Sequence, residues 1–198
     1  MTPSSSTTNA PERQPARPVE QPNPTRDALT AAGLERFASA GYAGARLADI
    51  AREAGLTTGA FYRHFANKQA FFHALFAGYG DALQSALNRA SGLREQIEAW
   101  ITVSREYRGA IRAAAEIARP DTEEATAREE LRNACASLLA RHLQGSESWR
   151  ETRGAALLLI DILDQYALME AAGWIELREP PQIAAVLVGM VEQGLYDA

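Results

Sequence analysis

Residues 47–68 read Leu47-Ala48-Asp49-Ile50-Ala51-Arg52-Glu53-Ala54-Gly55-Leu56-Thr57-Thr58-Gly59-Ala60-Phe61-Tyr62-Arg63-His64-Phe65-Ala66-Asn67-Lys68. Ile50, Ala51 and Ala54 give a first short helix an apolar inner face. Gly55 stops that helix and permits a left-handed turn that a β-carbon would penalise. Leu56 can plug the angle between two helices, and Thr57 can cap the second. Within that second helix Phe61 and Phe65 fall on one side, which turns Thr58, Tyr62 and Arg63 away from the core. Two short helices joined by a tight glycine turn form the helix-turn-helix layout, whose second helix enters the DNA major groove.

The outward face has the chemistry for that task. Arg63 can make bidentate contacts to guanine or phosphate. Thr57 and Thr58 can donate to phosphate or touch a thymine methyl. Gly59 and Ala60 are small enough to let the helix start approach DNA closely, with its free N–H groups directed at phosphate. Tyr62 pairs an apolar ring with a hydroxyl. Lys68 stands in the first turn of the next helix, where the helix dipole disfavours a cation, so a role outside helix stability is expected of it. Arg36 and Arg52 are read as solvent-facing.

The flanking sequence is helical throughout. Thr25 can cap a first helix to about Ala40, with Leu29, Leu34 and Phe37 inward and Gly41 as its stop. Asn67 caps a longer helix that carries Phe71, Phe72, Leu75, Phe76, Tyr79, Leu83 and Leu87. Further helices are expected at about 93–108, 109–118, 122–144, 149–173 and 181–196. Asp121 with Glu124, and Ser148 with Glu151, have capping-box spacing, and Pro180 and Pro181 suit a first turn. The fold class is all-α: an N-terminal three-helix helix-turn-helix DNA-binding domain and a larger C-terminal helical domain for ligand binding and dimerisation. The expected division is 1–24 as a disordered tail, 25–70 as the helix-turn-helix domain and 71–198 as the helical domain. The tail holds six of the nine prolines and almost no apolar residues, too little to offset its ordering entropy.

Composition excludes several classes. The single cysteine, Cys135, rules out an internal disulfide framework and a multi-cysteine zinc site. His73 and His142 have no partner at ligand spacing, so no metal and no cofactor is expected. Gly78 and Gly80 lack the strand that a phosphate-binding glycine motif requires. No apolar run reaches the roughly 18–20 residues that cross a bilayer, and a cytoplasmic protein is the expectation. The net charge is −5, which by itself argues against nucleic acid. Residues 25–70 nevertheless carry +2, leaving −7 on residues 71–198. The acidity therefore belongs to the helical domain and favours docking of DNA through the N-terminal face.

From Gly41-Tyr42 through Lys68 the chain resembles the TetR family of bacterial transcriptional regulators, over about residues 26–76. The resemblance implies a DNA-binding domain followed by a helical domain that binds a small molecule and dimerises through its last two helices. The DNA contacts it implies are Thr57, Thr58, Gly59, Ala60, Tyr62, Arg63, His64 and Lys68. Relatives often have hydroxyl residues just before the first short helix; here Ala45 and Arg46 stand there. That removes a cap worth about 1 kcal/mol and offers an Arg46–phosphate contact in exchange. Thr58 and Ala48 also stand where relatives are often basic.

In the helical domain, the stretch Leu157 to Trp174 is apolar on most sides and needs cover beyond one subunit. The last helix, with Ile183, Val186, Leu187, Met190, Val191 and Leu195, can supply it in a two-fold four-helix interface. Such a homodimer presents recognition helices to a palindromic operator in double-stranded DNA with half-sites about 34–36 Å apart. Trp100, Tyr107, Tyr166, Met169 and Trp174 are candidates to line a pocket, and the expected effector is apolar or aromatic. The expected function is a dimeric repressor released from its operator by that effector. An activator of the same family is the alternative, followed by a helical small-molecule binder without DNA recognition. No nucleophile–base pair or cofactor motif points to an enzyme.

Overall fold

A computed structural model describes residues 23–117, 119, 122–143 and 149–196. The described residues fold into nine helices: α1 (Pro24–Gly44), α2 (Leu47–Glu53), α3 (Thr58–His64), α4 (Lys68–Arg89), α5 (Leu93–Glu106), α6 (Arg108–Ile117), α7 (Glu123–Leu139), α8 (Trp149–Ala171) and α9 (Pro180–Tyr196). None is long and apolar enough to cross a membrane.

Local chemistry sets the helix ends. The α1 cap is Asn23, whose side chain accepts from the Arg26 N–H, with Pro24 in the first turn. Thr25 therefore lies inside the helix and is not its cap, as Pro24 already has the fixed φ that suits a first helical residue. Gly41, at φ 68°, breaks the regular path of α1 where the glycine stop was expected. Thr57 and Asn67 cap α3 and α4 as expected, through the N–H groups of Ala60 and Ala70. Thr122 caps α7 by accepting from the Ala125 N–H. The expected caps Asp121 and Ser148, and the expected tail up to residue 22, lie outside the described residues, as does the Leu195 side chain.

Two cores share the length of α4. The first collects Leu29 and Phe37 of α1, Ile50 and Ala51 of α2, Phe61 of α3, Phe65, and Phe71, Phe72 and Leu75 from the start of α4. Four of these rings form a cluster on Phe71, with centroids 4.7 Å away for Phe65, 5.1 Å for Phe61 and 6.0 Å for Phe37. The second joins Tyr79, Leu83 and Leu87 from the far end of α4 to α5, α7, α8 and α9. Cys135 is buried there, and burial pushes its thiol up to about 12.

The helix α6 does not keep to the 70/71 boundary. Its Ala110, Ala113 and Ala114 belong to the N-terminal core. Gly109 explains how closely it packs: a β-carbon there would stand 1.9 Å from the Leu34 carbonyl oxygen of α1. An alanine-rich helix with a glycine at the crossing lets two backbones approach to a distance that larger side chains forbid.

Candidate functional site

The turn between α2 and α3 is built as its residues suggest. Gly55 adopts φ 71°, and the Leu56 N–H reaches back to the Ala51 carbonyl at 2.8 Å, a closure that helices make with glycine after the last turn. Leu56 is half-buried against the N-terminal core. The Thr57 hydroxyl is spent on the cap, accepting from the Ala60 N–H at 3.2 Å.

That geometry sorts the α3 side chains. Phe61 is fully buried and Ala60 nearly so, so the Ala60 methyl faces the core and only its small size serves a close approach. Thr57, Thr58, Gly59, Tyr62 and Arg63 are exposed, and His64 is half-buried. Tyr62 is 54% exposed and rests edge-on against the Phe61 ring, an uncommon exposure for a large aromatic without a partner. Arg46, the residue before α2, is exposed and makes no side-chain cap bond, as the missing hydroxyl implied.

Ion pairing then decides which cations remain available. Arg36 is not solvent-facing, contrary to expectation: it bridges α1 to α2 through Asp49 at 2.8 Å and Glu53 at 3.5 Å. The Arg36 guanidinium and its hydrogen bond hold the Asp49 carboxyl below its ordinary range. Local spacing does not reveal this pair because the two residues lie on different helices. Arg52 is exposed and leans on Asp49 at 2.9 Å. Glu35 is taken by Arg108 of α6 at 2.6 Å. Among the described residues, the Arg46 and Arg63 side chains make no hydrogen bond or ion pair, although Arg46 lies near enough to Asp49 to help hold that carboxyl low.

Lys68 behaves differently from Arg63. Its ammonium donates to the carbonyls of Tyr42 at 2.6 Å and Ala45 at 3.0 Å, with Ala43 at 3.4 Å. It also sits 4.5 Å from the Tyr42 ring centroid. Partial burial lowers its pKa. A cation placed against its own helix dipole is thus balanced by the carbonyl end of α1, a partner that sequence spacing does not reveal.

The helical domain contains a partly open cavity of about 390 Å³ lined by α4 to α8. Phe76, Tyr79, Trp100 and Ile160 form apolar walls, and Arg128, Arg132, Asp161 and Asp164 reach it from α7 and α8. Of the expected lining residues the cavity includes Trp100. Tyr107 packs on Tyr79 beside both cores. Tyr166 donates to Glu170, which Arg105 also holds, and Trp174 lies exposed after α8. Met169 is half-buried on α8 and does not line the cavity. The converging charges were readable in part: Arg128 and Arg132, four apart, and Asp161 and Asp164, three apart, each share a helix face. That the two faces meet was not.

Residues 29–75 match the family model described as "Bacterial regulatory proteins, tetR family". Those residues, from α1 to the first turns of α4, are similar to the DNA-binding domain of that family. Solved structures extend the likeness over the fold of nearly the whole chain. The fatty acid degradation regulator FadR from Bacillus halodurans is 19% identical with a TM-score of 0.64, covering 89% of this chain and 99% of that one. A Rhodococcus transcriptional regulator is 24% identical with a TM-score of 0.66, covering 85% and 96%. AibR, solved in complex with isovaleryl coenzyme A and operator DNA, is 16% identical with a TM-score of 0.65, covering 84% and 97%. The helix-turn-helix domain thus heads a body with the same helical fold as these structures.

Proposed function

We propose that this chain is a DNA-binding transcriptional regulator, a homodimeric repressor that a small molecule releases from its operator. The observation that carries it is the outward row on α3 and its flank: Thr58, Gly59, Tyr62 and Arg63, with Arg46, in which both arginines are left unpaired. In this reading Thr57 and His64 flank the row, Ala60 allows close approach, and Lys68 holds the frame while facing the phosphate side. Residues 25–70 act as the DNA-binding head, and 71–198 as the effector and dimer body. The tetR-family match supports the head; the AibR structure, with a coenzyme A thioester and DNA together, supports a fold that can serve both.

The body supports the rest. Leu158 and Ile162 of α8 and Val186 and Met190 of α9 are exposed apolar side chains one turn apart on each helix, the pattern of a face awaiting a second copy. The helix α6 supplies a route from cavity to head. Ile111, Ala114 and Ala115 line the cavity, while Arg108 pairs with Glu35, Arg112 donates to the Ala38 carbonyl and Glu116 accepts from the Ala43 N–H. A ligand that binds one position of α6 better than another shifts α1, and with it the separation of the two recognition helices. Repression then ends because both half-sites no longer dock together.

Fluorescence anisotropy of the full chain with random-sequence duplex DNA, titrated with salt, tests the reading. Binding weakens steeply as salt rises if phosphates are contacted, with a log–log slope near −0.9 per contact. An affinity indifferent to salt would reject DNA as the partner.

A further inference from the structure

The cavity contains polar groups that the chain leaves unsatisfied. Asp164 of α8 lines it and, among the described residues, makes no hydrogen bond or ion pair within 4 Å. Burial pushes its carboxyl up to about 6, against the pull of Arg128 and Arg132. Trp100 is 2% exposed, and its indole N–H has no acceptor. An apolar occupant cannot change the Trp100 N–H, which has no open surface, but it would leave the Asp164 carboxylate unpaired at a cost, since a carboxylate stripped of water without a partner loses its hydration for nothing.

The two signs of charge at this cavity are not equivalent. Arg132 is already held by Asp161 at 2.8 Å. Arg128 is exposed and stands at the rim, in contact with solvent as well as with the cavity. Asp164 is half-buried: it lines the cavity together with Phe76, Tyr79, Trp100 and Ile160, and on its other side an open cleft shared with Arg128, Arg132 and Asp161. A carboxylate beside aromatic rings attracts a cation twice, through a charge-assisted hydrogen bond and through the faces of the rings.

We propose that the cavity takes an amphipathic organic cation: an amine that pairs with the Asp164 carboxylate, on an apolar body that packs against Phe76, Tyr79 and Trp100. The inference rests on the reading of this cavity as the effector site. It narrows an expected apolar or aromatic ligand to one with a positive end.

Isothermal titration of the full chain with three probes of one shape decides it: a methoxynaphthyl methylamine, the matching alcohol and the matching carboxylate. The amine binds about tenfold tighter than either, the range of one charge-assisted hydrogen bond. Asp164→Asn removes that preference, and Trp100→Phe weakens all three while keeping it. Arg128→Ala, on an exposed side chain that leaves the fold alone, strengthens the amine severalfold by removing a competing cation. A carboxylate that binds best, an amine preference that survives Asp164→Asn, or no amine binding at millimolar concentration would each overturn the proposal. Amine binding that leaves DNA affinity unchanged would sink the effector reading and keep the cavity's specificity. Carboxylate binding that releases DNA would do the reverse.

Discussion

The helix-turn-helix head and the helical body treat their polar groups differently. In the head, charges that could interfere are closed inward: Arg36 onto Asp49 and Glu53, Lys68 onto three carbonyls, the Thr57 hydroxyl onto its own helix. Among the described residues, the Arg46 and Arg63 side chains are left without a partner and are exposed, while one nitrogen of Arg36, its Nε, is buried and unpaired. The body, besides exposed charges such as Arg128, has unpaired groups at or behind its cavity wall, Asp164 and the Trp100 indole N–H. An outward row suits a partner too large to enclose, and an inward set suits one small enough to be swallowed. On the proposed reading, the chain carries two recognition sites that do not titrate each other, with α6 packed on both.

The largest effect should come from breaking that shared element. Gly109→Ala places a β-carbon 1.9 Å from the Leu34 carbonyl oxygen, and backbone cannot yield as a side chain can. A loss of about 3 kcal/mol in urea unfolding is expected, and hydrogen exchange should speed up in α1 before it does in α9. Equal loosening of both ends would mean that the two cores are one unit and that head and body do not differ in this way. Next in size, Arg63→Ala or Tyr62→Ala should cost about 1–3 kcal/mol in operator binding, with thermal stability and dimerisation unchanged. Arg63→Ala should also reduce the salt slope by about one. An unchanged gel shift would remove α3 as the reading helix.

The two regions were also unequally legible. The head's site is continuous in sequence, so helix period, the Gly55 turn and the Thr57 cap suffice by themselves to place Thr58, Tyr62 and Arg63 on one face. The inward turn of the Ala60 methyl is not readable in this way, because it depends on how α3 rolls against Phe61. The cavity draws on five helices whose mutual rotation is a packing outcome. Periodicity puts Tyr107, Tyr166 and Met169 on helices without saying which way each helix turns, and of the five expected lining residues Trp100 alone reaches the cavity. The pairing of Arg36 and the seat of Lys68 were hidden for the same reason: their partners lie on other elements, and local spacing carries no record of them.

The body can be tested through its own titration. The Asp164 carboxyl has an ordinary value of 3.8 and a folded value of about 6. Between those values the folded chain binds more protons than the unfolded one, so stability falls as pH rises through the window and stays low above it. The penalty at neutral pH is about 2 kcal/mol after allowance for partial exposure. Asp164→Asn should therefore raise the melting temperature at pH 7 and leave it nearly unchanged at pH 4. A variant that melts lower at pH 7 would show that the carboxylate is already compensated in the free protein, which would erase the inward half of the contrast.

The smallest effect separates two roles inside the head. Lys68→Met keeps the apolar stem and removes the ammonium that closes α1 onto α4. Because its three acceptors are carbonyls at a helix end, the loss should appear in the melting curve, at about 1 kcal/mol, and in operator affinity as a consequence of a looser frame. Arg63→Ala should show the converse, with affinity lost and melting unchanged. Running both variants through the same pair of measurements distinguishes a framing cation from a reading one. If Lys68→Met melts like the parent and loses affinity as Arg63→Ala does, then the ammonium exchanges its carbonyls for phosphate on DNA, and Lys68 joins Arg63 on the outward side of the comparison.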